Sequence, residues 1–385
     1  MLLQRRPWMI VSVATAFMSA VLLAAQDVRK STGRSNDAGG KTAWGEPDLQ
    51  GIWGLETDIP LQRSDEYAGK ETLTDEERAQ IDKQRAAASY FDNRGRGGVG
   101  AGQGQASQPY DDLFLSRKKS GKRTSLIVEP RDGKIPPPTS EAVKRRDALR
   151  AFQLALLQPT DACKNGEASC AGGKYGPASP LRFQMPPYYS TGNLSRAFNP
   201  EDRSLRERCF QGRLPDLGLI PYGYFLQLVQ SPQTVSIFYD TGQGEMWQRV
   251  IPVDGTPHLP SHIRQWNGDS RGHWEGKTLV VDVTNFTAKA DFQGSRENLH
   301  LIERWARTDA NTLEYTVTME DPTTWTRPWT AVQEYKKQSD RDNKIYHEPR
   351  CHEGNYAMAS LLRGAREEEK AFAEGKGPDP ATIAR

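Results

Sequence analysis

Residues 312–319 read TLEYTVTM, and this stretch decides the fold class. Leu313, Tyr315, Val317 and Met319 fall on one side of an extended chain, with Thr312, Glu314, Thr316 and Thr318 on the other. A period of two over eight residues describes a strand with one dry and one wet face. The pattern spreads in both directions. Upstream, Leu299–Trp305 is a second strand, joined to the first by the short turn Arg307-Thr308-Asp309-Ala310-Asn311. Downstream lies Trp329–Tyr335, and further back are Thr278–Val283 and Met246–Ile251. Tyr224–Val229 and Thr234–Phe238 flank Ser231-Pro232-Gln233, a hairpin signal. Short turns between such strands make neighbours antiparallel. The expected architecture is a mainly β, antiparallel meander curling toward a barrel, with two N-terminal helices and long loop insertions.

The N-terminal side is organised differently. Residues 1–25 carry Arg5 and Arg6, an apolar run from Trp8 to Leu23 and a small-residue end, the layout of a cleaved secretory signal. Residues 26–121 hold a polar linker, a first strand around Ile52 and Trp53, and one helix. Its start is marked by the Thr74/Glu77 capping-box spacing. A Gly-rich low-complexity segment, 92–109, is expected to be disordered. Residues 122–364 form the barrel-like domain. It opens with a strand at Thr124–Val128 and a helix at Ser140–Leu157, with Ala142, Leu149, Phe152 and Leu156 on one face. An irregular Pro- and Gly-rich insertion occupies 158–203, and 365–385 reads as a polar tail.

Composition narrows the function classes. The chain has 51 basic and 49 acidic side chains among 385 residues, and the surplus lies within the first 25. No net field remains to hold nucleic acid or an anionic membrane. Four cysteines in an exported chain imply disulfides. The close pair Cys163 and Cys170 suits a local staple, leaving Cys209 and Cys351 to join the middle of the chain to its end. The expected setting is periplasmic or secreted, without membrane insertion once the signal is cleaved.

Four stretches carry a resemblance. IPVDGTPHLPSHIRQWNGDSRGHWEGKTLVVDVTNF (251–286), ENLHLIERWARTDANTLEYTVTMEDPTTWTRPWT (297–330), CHEGNY (351–356) and PDLQGIW (47–53) resemble a family of exported bacterial proteins. That resemblance implies export and carries no activity. Gly51-Ile52-Trp53 is also similar to the G-x-W at the head of lipocalin-like barrels.

Candidate site residues cluster in the same half. Trp266, Trp274, Trp305, Trp325 and Trp329 are interleaved with Arg264, Asp269, Arg271, Glu275, Glu303, Arg304 and Arg327. Trp305 and Trp329, on strands, read as core. The remaining aromatic and charged residues read as a ligand-binding set, because a Trp-lined site with a few charges suits an aromatic or lipid-like molecule. Asp269 or Glu275 is expected to pair with Arg271, Arg304 or Arg327 across a barrel mouth, near His300 or His352. His352 and Glu353, beside Cys351, and His300 in its strand are the acid–base candidates. His258 and His262 have helical metal-pair spacing, but Pro257 and Pro260 forbid the helix, so no metal is assigned. No nucleophile elbow, P-loop or dinucleotide fingerprint occurs, so no cofactor is expected. Three functions fit: a binder of a small lipophilic or aromatic ligand in a Trp/Arg-lined barrel, a cofactor-independent hydrolase, lyase or isomerase, or an accessory envelope protein.

Overall fold

The computed structural model describes residues 40–87, 118–186, 196–203, 213–219, 223–241, 246–339 and 356–383, with 205, 208, 209, 341 and 345. The signal segment, the Gly-rich segment 92–109 and the CHEGN residues 351–355 lie outside them.

The long strands of the C-terminal half, apart from Asp269–Glu275, form where the period-two pattern places them. The strands are β1 (Gly51–Gly54), β2 (Thr57–Asp58), β3 (Lys119–Ser120), β4 (Ile127–Glu129), β5 (Phe225–Ser231) and β6 (Thr234–Asp240). There follow β7 (Met246–Pro252), β8 (Asp269–Glu275), β9 (Thr278–Thr284), β10 (His300–Asp309), β11 (Thr312–Glu320) and β12 (Trp329–Lys337). The main sheet runs β7-β6-β5-β1-β12-β11-β10-β9-β8, with β4 added on β12 and every pairing antiparallel. It is a nearly closed, barrel-like sheet. Its two edge strands meet through side chains: Arg249 on β7 donates from Nε to Ser270 Oγ on β8 at 3.0 Å. A Cβ on Gly272 would lie 2.8 Å from Val253 and 3.0 Å from Ile251, so only glycine lets β8 come this close.

The inward phase is the apolar one. Leu226, Leu228, Val235, Ile237, Ile251, Leu279, Val281, Val283, Leu301, Leu313, Val317 and Met319 are all buried at the centre. Trp53 of the G-x-W closes one part of this core, and its indole N–H donates to the Leu49 carbonyl at 3.1 Å. Burial of these side chains is the dominant favourable contribution to the fold.

Helix α1 (Asp75–Ala87) begins at the expected box: Glu77 Oε2 accepts from the Thr74 N–H at 2.8 Å, and Thr74 Oγ1 from the Glu77 N–H at 3.3 Å. Helix α2 (Ser140–Leu157) is capped by Thr139 and buries Ala142, Phe152, Leu156 and Leu157, while Leu149 is only partly covered. The insertion 158–203 contains the short helix α3 (Asp161–Lys164) and the Cys163–Cys170 disulfide, which pack with Phe152, Leu156 and Leu157 into a separate small core. Cys209 is disulfide-bonded as well; its expected partner, Cys351, lies outside the described residues.

Two expectations are corrected. Asp269–Glu275 reads as a polar turn but is strand β8. Its inward residues are Ser270, Gly272 and Trp274, so no apolar alternation marks it, and pairing with β9 alone makes it a strand. The tail 365–385 begins inside helix α4 (Tyr356–Ala373), which the polar composition concealed. No helix among the described residues is long and apolar enough to cross a membrane.

Candidate functional site

The sequence-selected residues divide between two faces of the barrel wall. His300 opens β10 on the outward phase, opposite to buried Leu301. Its Nε2 lies 2.8 Å from Asp282 Oδ2 and its Nδ1 lies 3.0 Å from Glu320 Oε2. Asp282 in turn offers Oδ1 to His258 Nε2 at 2.8 Å, and His258 Nδ1 meets Asp269 Oδ2 at 2.8 Å. Arg271 ends the ladder with an Nη2–Oδ1 contact of 3.2 Å to Asp269. The ladder fastens the β7–β8 loop to the wall, since the Leu259 N–H donates to Asp269 and Arg271 Nε donates to the Pro257 carbonyl.

Carboxylates on both nitrogens suit His300 only as an imidazolium, because a neutral ring has a single N–H to donate. The Asp282 hydrogen bond accordingly holds its pKa above 6.5, against the opposing effect of burial. The His300 bond holds Asp282 below the usual carboxylate value of 3.8. The raised His300 pKa gives a stabilisation fully present below pH 6.5 and lost as pH rises through the folded value. The lowered Asp282 pKa gives one present above pH 3.8 and lost on acidification. The loop should therefore be held most firmly between these limits. An NMR titration of the His300 ring should find a midpoint above 6.5, and His300→Gln should flatten the alkaline limb of the stability curve. A midpoint at or below 6.5 would remove the ladder's electrostatic role.

The expected pairings of Asp269 with Arg271 and of Glu275 with Arg304 (2.6 Å) are present. Their expected place at a barrel mouth is corrected: both occupy the outer wall, because 269, 271, 275 and 304 all take the outward phase of their strands. Arg264 is an exposed loop staple that donates to the Glu297 carbonyl at 2.7 Å, and Arg327 is exposed in the turn before β12. Neither lines the interior. Trp266 is half-buried, Trp274 packs inward against the core, and Trp325 is buried edge-on to Trp329 at 5.4 Å. Trp274 and Trp325 belong to the core, not to a site shared with the arginines. His352 and Glu353 lie outside the described residues.

Polar groups converge instead inside the barrel. Glu303 is fully buried and Arg249 is 5% exposed. They form a bidentate pair, Nη1–Oε1 3.1 Å and Nη2–Oε2 2.6 Å, and Tyr315 donates its hydroxyl to Glu303 at 2.7 Å. Burial opposes the Arg249 charge, but Glu303 more than offsets it and drives the pKa up. Around this pair rise two aromatic stacks. Tyr239 lies parallel to Trp247 at 4.0 Å; Trp305 stacks on Tyr315 at 4.1 Å and on Tyr335 at 6.3 Å, and Tyr335 continues to Tyr224 at 6.0 Å. The hydroxyls of Tyr224, Tyr239 and Tyr335 and the indole N–H groups of Trp247 and Trp305 are buried; none makes a well-formed hydrogen bond, and the Asp216 carboxyl is the acceptor that Tyr224 and Trp247 face. Burial raises all three phenols well above their usual pKa, so they remain donors.

Residues 213–219 close this end of the barrel. Leu214 and Leu217 join the core, and a Cβ on Gly218 would lie 2.7 Å from Leu55 and 3.5 Å from the Tyr224 ring. Asp216, between the two leucines, takes the Gly218 N–H on Oδ1 at 3.2 Å. Desolvation pushes its carboxyl up to about 6, against the lowering effects of the Gly218 N–H, Tyr224, Trp247 and Arg213. Lys118, whose Nζ reaches the Gly218 carbonyl at 3.4 Å, is lowered to about 8 by burial. Sequence reading placed Glu303 among the interleaved charges but missed Arg249, Asp216 and the tyrosines around them. The usable signal was phase: Glu303 alternates with Leu301 and Trp305, and Arg249 with Ile251, so both charges must point inward.

Fold and site together define a nearly closed, barrel-like antiparallel sheet whose apolar, aromatic-rich core encloses one buried Arg249–Glu303 pair. No protein-family model matches the chain, and no curated protein sequence does. Among solved structures, fatty-acid-binding protein 1 of Echinococcus granulosus is 8% identical, with 30% of this chain and 73% of that chain covered at a TM-score of 0.22. A heat-soluble (SAHS) protein of Ramazzottius varieornatus is 12% identical, with 31% and 74% covered at the same TM-score. At these values the likeness says nothing about what this chain binds. Among the described residues, no group of three or more His, Cys, Asp or Glu side chains is arranged to hold a metal ion.

Proposed function

We propose that this is an exported binding protein that holds a small lipophilic or aromatic molecule inside the barrel, with the molecule's acceptor oxygens turned toward Tyr224, Tyr239, Tyr335, Trp247 and Trp305. The observation that carries this reading is the set of buried aromatic donors that make no well-formed hydrogen bond, Tyr224 and Trp247 having the Asp216 carboxyl beside them. Native interiors leave few such groups, and each one left bare costs about 1–3 kcal/mol. A ligand that brings acceptors removes that cost and meets flat rings on several sides. The Arg249–Glu303 pair then acts as a fixed floor, already satisfied and not competing for the ligand. Entry is by lifting residues 213–219, which close the end of the barrel without strand pairing. The Cys163–Cys170 disulfide supports an oxidising compartment and, with residues 1–25, export to the periplasm or beyond.

The bicyclic ketone 2-tetralone, flat and apolar with one acceptor oxygen, is a direct probe. Calorimetric titration should detect binding, and the triple variant Tyr224→Phe/Tyr239→Phe/Tyr335→Phe should weaken it about tenfold or more, the equivalent of one or more lost hydrogen bonds. Unchanged affinity in the triple variant, or no binding at millimolar ketone, overturns the reading.

A further inference from the structure

We infer that the β7–β8 connection, residues 253–268, is a strap across the closing seam of the barrel wall, and that His258 and His300 form its catch, shut when both rings carry a proton and released when they do not. The device belongs to the wall. It stands apart from the ligand proposed above and from the barrel end closed by residues 213–219.

The seam follows from strand parity. Nine strands joined in a row by antiparallel pairings alternate in direction, so the first and last, β7 and β8, run the same way. Contacts across the gap agree: Arg249 meets Ser270 at 3.0 Å, and two residues further along both strands Ile251 comes within 3.0 Å of where a Gly272 Cβ would lie. Neighbours elsewhere in the ring are tied by backbone ladders, whereas among the described residues no ladder joins β7 to β8. A wall opens most readily where the fewest hydrogen bonds must break. Because the two strands are parallel, the chain leaving the far end of β7 must return along the outside to the near end of β8. It starts on β7 and is fastened to β8 and β9, so it bridges the gap.

The fastenings are of two kinds. Asn285 Nδ2 donates to the Leu259 carbonyl at 2.8 Å and Arg271 Nε to the Pro257 carbonyl at 2.8 Å, and neither depends on pH near neutrality. His258 makes the conditional one. Its two ring nitrogens and those of His300 face four carboxylate oxygens at 2.8–3.0 Å: one on Asp269 of β8, two on Asp282 of β9 and one on Glu320 of β11. Two imidazoliums carry four N–H donors, one for each oxygen. Two neutral rings carry two, so half of the contacts then set a lone pair against a carboxylate. Charge counts the same way. Two imidazoliums and Arg271 balance Asp269, Asp282 and Glu320; with neutral rings, two negative charges are left over beneath the strap. Other charged groups near the catch are already engaged: Asp254 of the strap accepts from Thr256, and Glu275 pairs with Arg304 and His273. His262 of the strap is exposed. Since Asp282 holds the His300 pKa above 6.5, the shut state is fully present below that value and fades as pH rises through the folded one.

Amide hydrogen exchange of the full chain, read by mass spectrometry and corrected for the intrinsic effect of pH, tests both parts. Between about pH 5.5 and about pH 8.5, either side of the ordinary histidine range, protection of the strap and of β8 should fall at least tenfold, the equivalent of one charge-assisted hydrogen bond. Protection of β11 and β12 should hold. Asp216 and Lys118 titrate in the same window, at about 6 and about 8, but at the far end of the argument from the catch. His258→Gln separates them: strap and β8 should exchange fast at both pH values, with the step gone. A step that survives in His258→Gln, or equal corrected protection at the two pH values in the unmutated chain, overturns the catch. Amides of β8 as well protected as those of β11 at both pH values overturn the seam. The comparison within the unmutated chain needs no variant, so a poorly folding mutant does not blunt the test.

Discussion

Glu303→Gln should destabilise the protein by about 3–5 kcal/mol, because it leaves the Arg249 guanidinium buried without its counter-charge. The geometry leaves little room for relaxation. Arg249 is held at three points by Glu303 and Ser270, and Tyr315 also loses its charged acceptor. Arg249→Met should cost a similar amount for the mirror-image reason. The double variant Arg249→Met/Glu303→Leu should recover most of the loss, since two apolar groups of similar volume remove both desolvation penalties together. Urea unfolding of the parent, Arg249→Met, Glu303→Leu and the double variant gives the coupling directly. Single variants each costing less than about 1 kcal/mol would show that water reaches the pair and that the interior is wet.

The second large effect has the opposite sign. Asp216→Asn should make the protein more stable above pH 6, by about 1–3 kcal/mol, since a carboxyl raised from 3.8 to about 6 resists ionisation in the folded state. Between these two values the folded protein binds more protons than the unfolded chain, so stability falls as pH rises through the window and is level above it. The gain from the amide should therefore be absent near pH 3.8, grow up to pH 6, and then stay constant. Thermal melts of both proteins across pH 4–8 check this. A variant less stable than its parent at pH 7.5 would mean that the carboxylate supports the fold. A gain would show that the buried carboxyl is kept at a cost to stability.

Much of this was legible in the order of residues. Leu313, Tyr315, Val317 and Met319 are buried as their alternation requires, and β5, β6, β7, β9, β10, β11 and β12 follow from the same period. Thr74 and Glu77 announce helix α1, and the short spacing of Cys163 and Cys170 announces their bridge. These are local properties: a side chain's direction in a strand, or a cap's reach to an N–H, depends on neighbours a few residues away. Strand β8 was not legible, because Ser270 and Gly272 face inward to make room for Arg249 and Ile251, residues some 20 positions earlier. Nor was the ladder through His258, Asp282 and Glu320, whose members come from one loop and two strands and meet only once β8, β9, β10 and β11 are side by side. The phase of each strand placed Glu303 and Arg249 indoors, but only closure of the sheet put them on each other. It also brought Asp216 from a loop to the foot of three tyrosines and a tryptophan. A strand's faces are decided by its own backbone geometry; which faces meet is decided by the curl and register of the whole sheet, and that is where this protein's candidate chemistry lies.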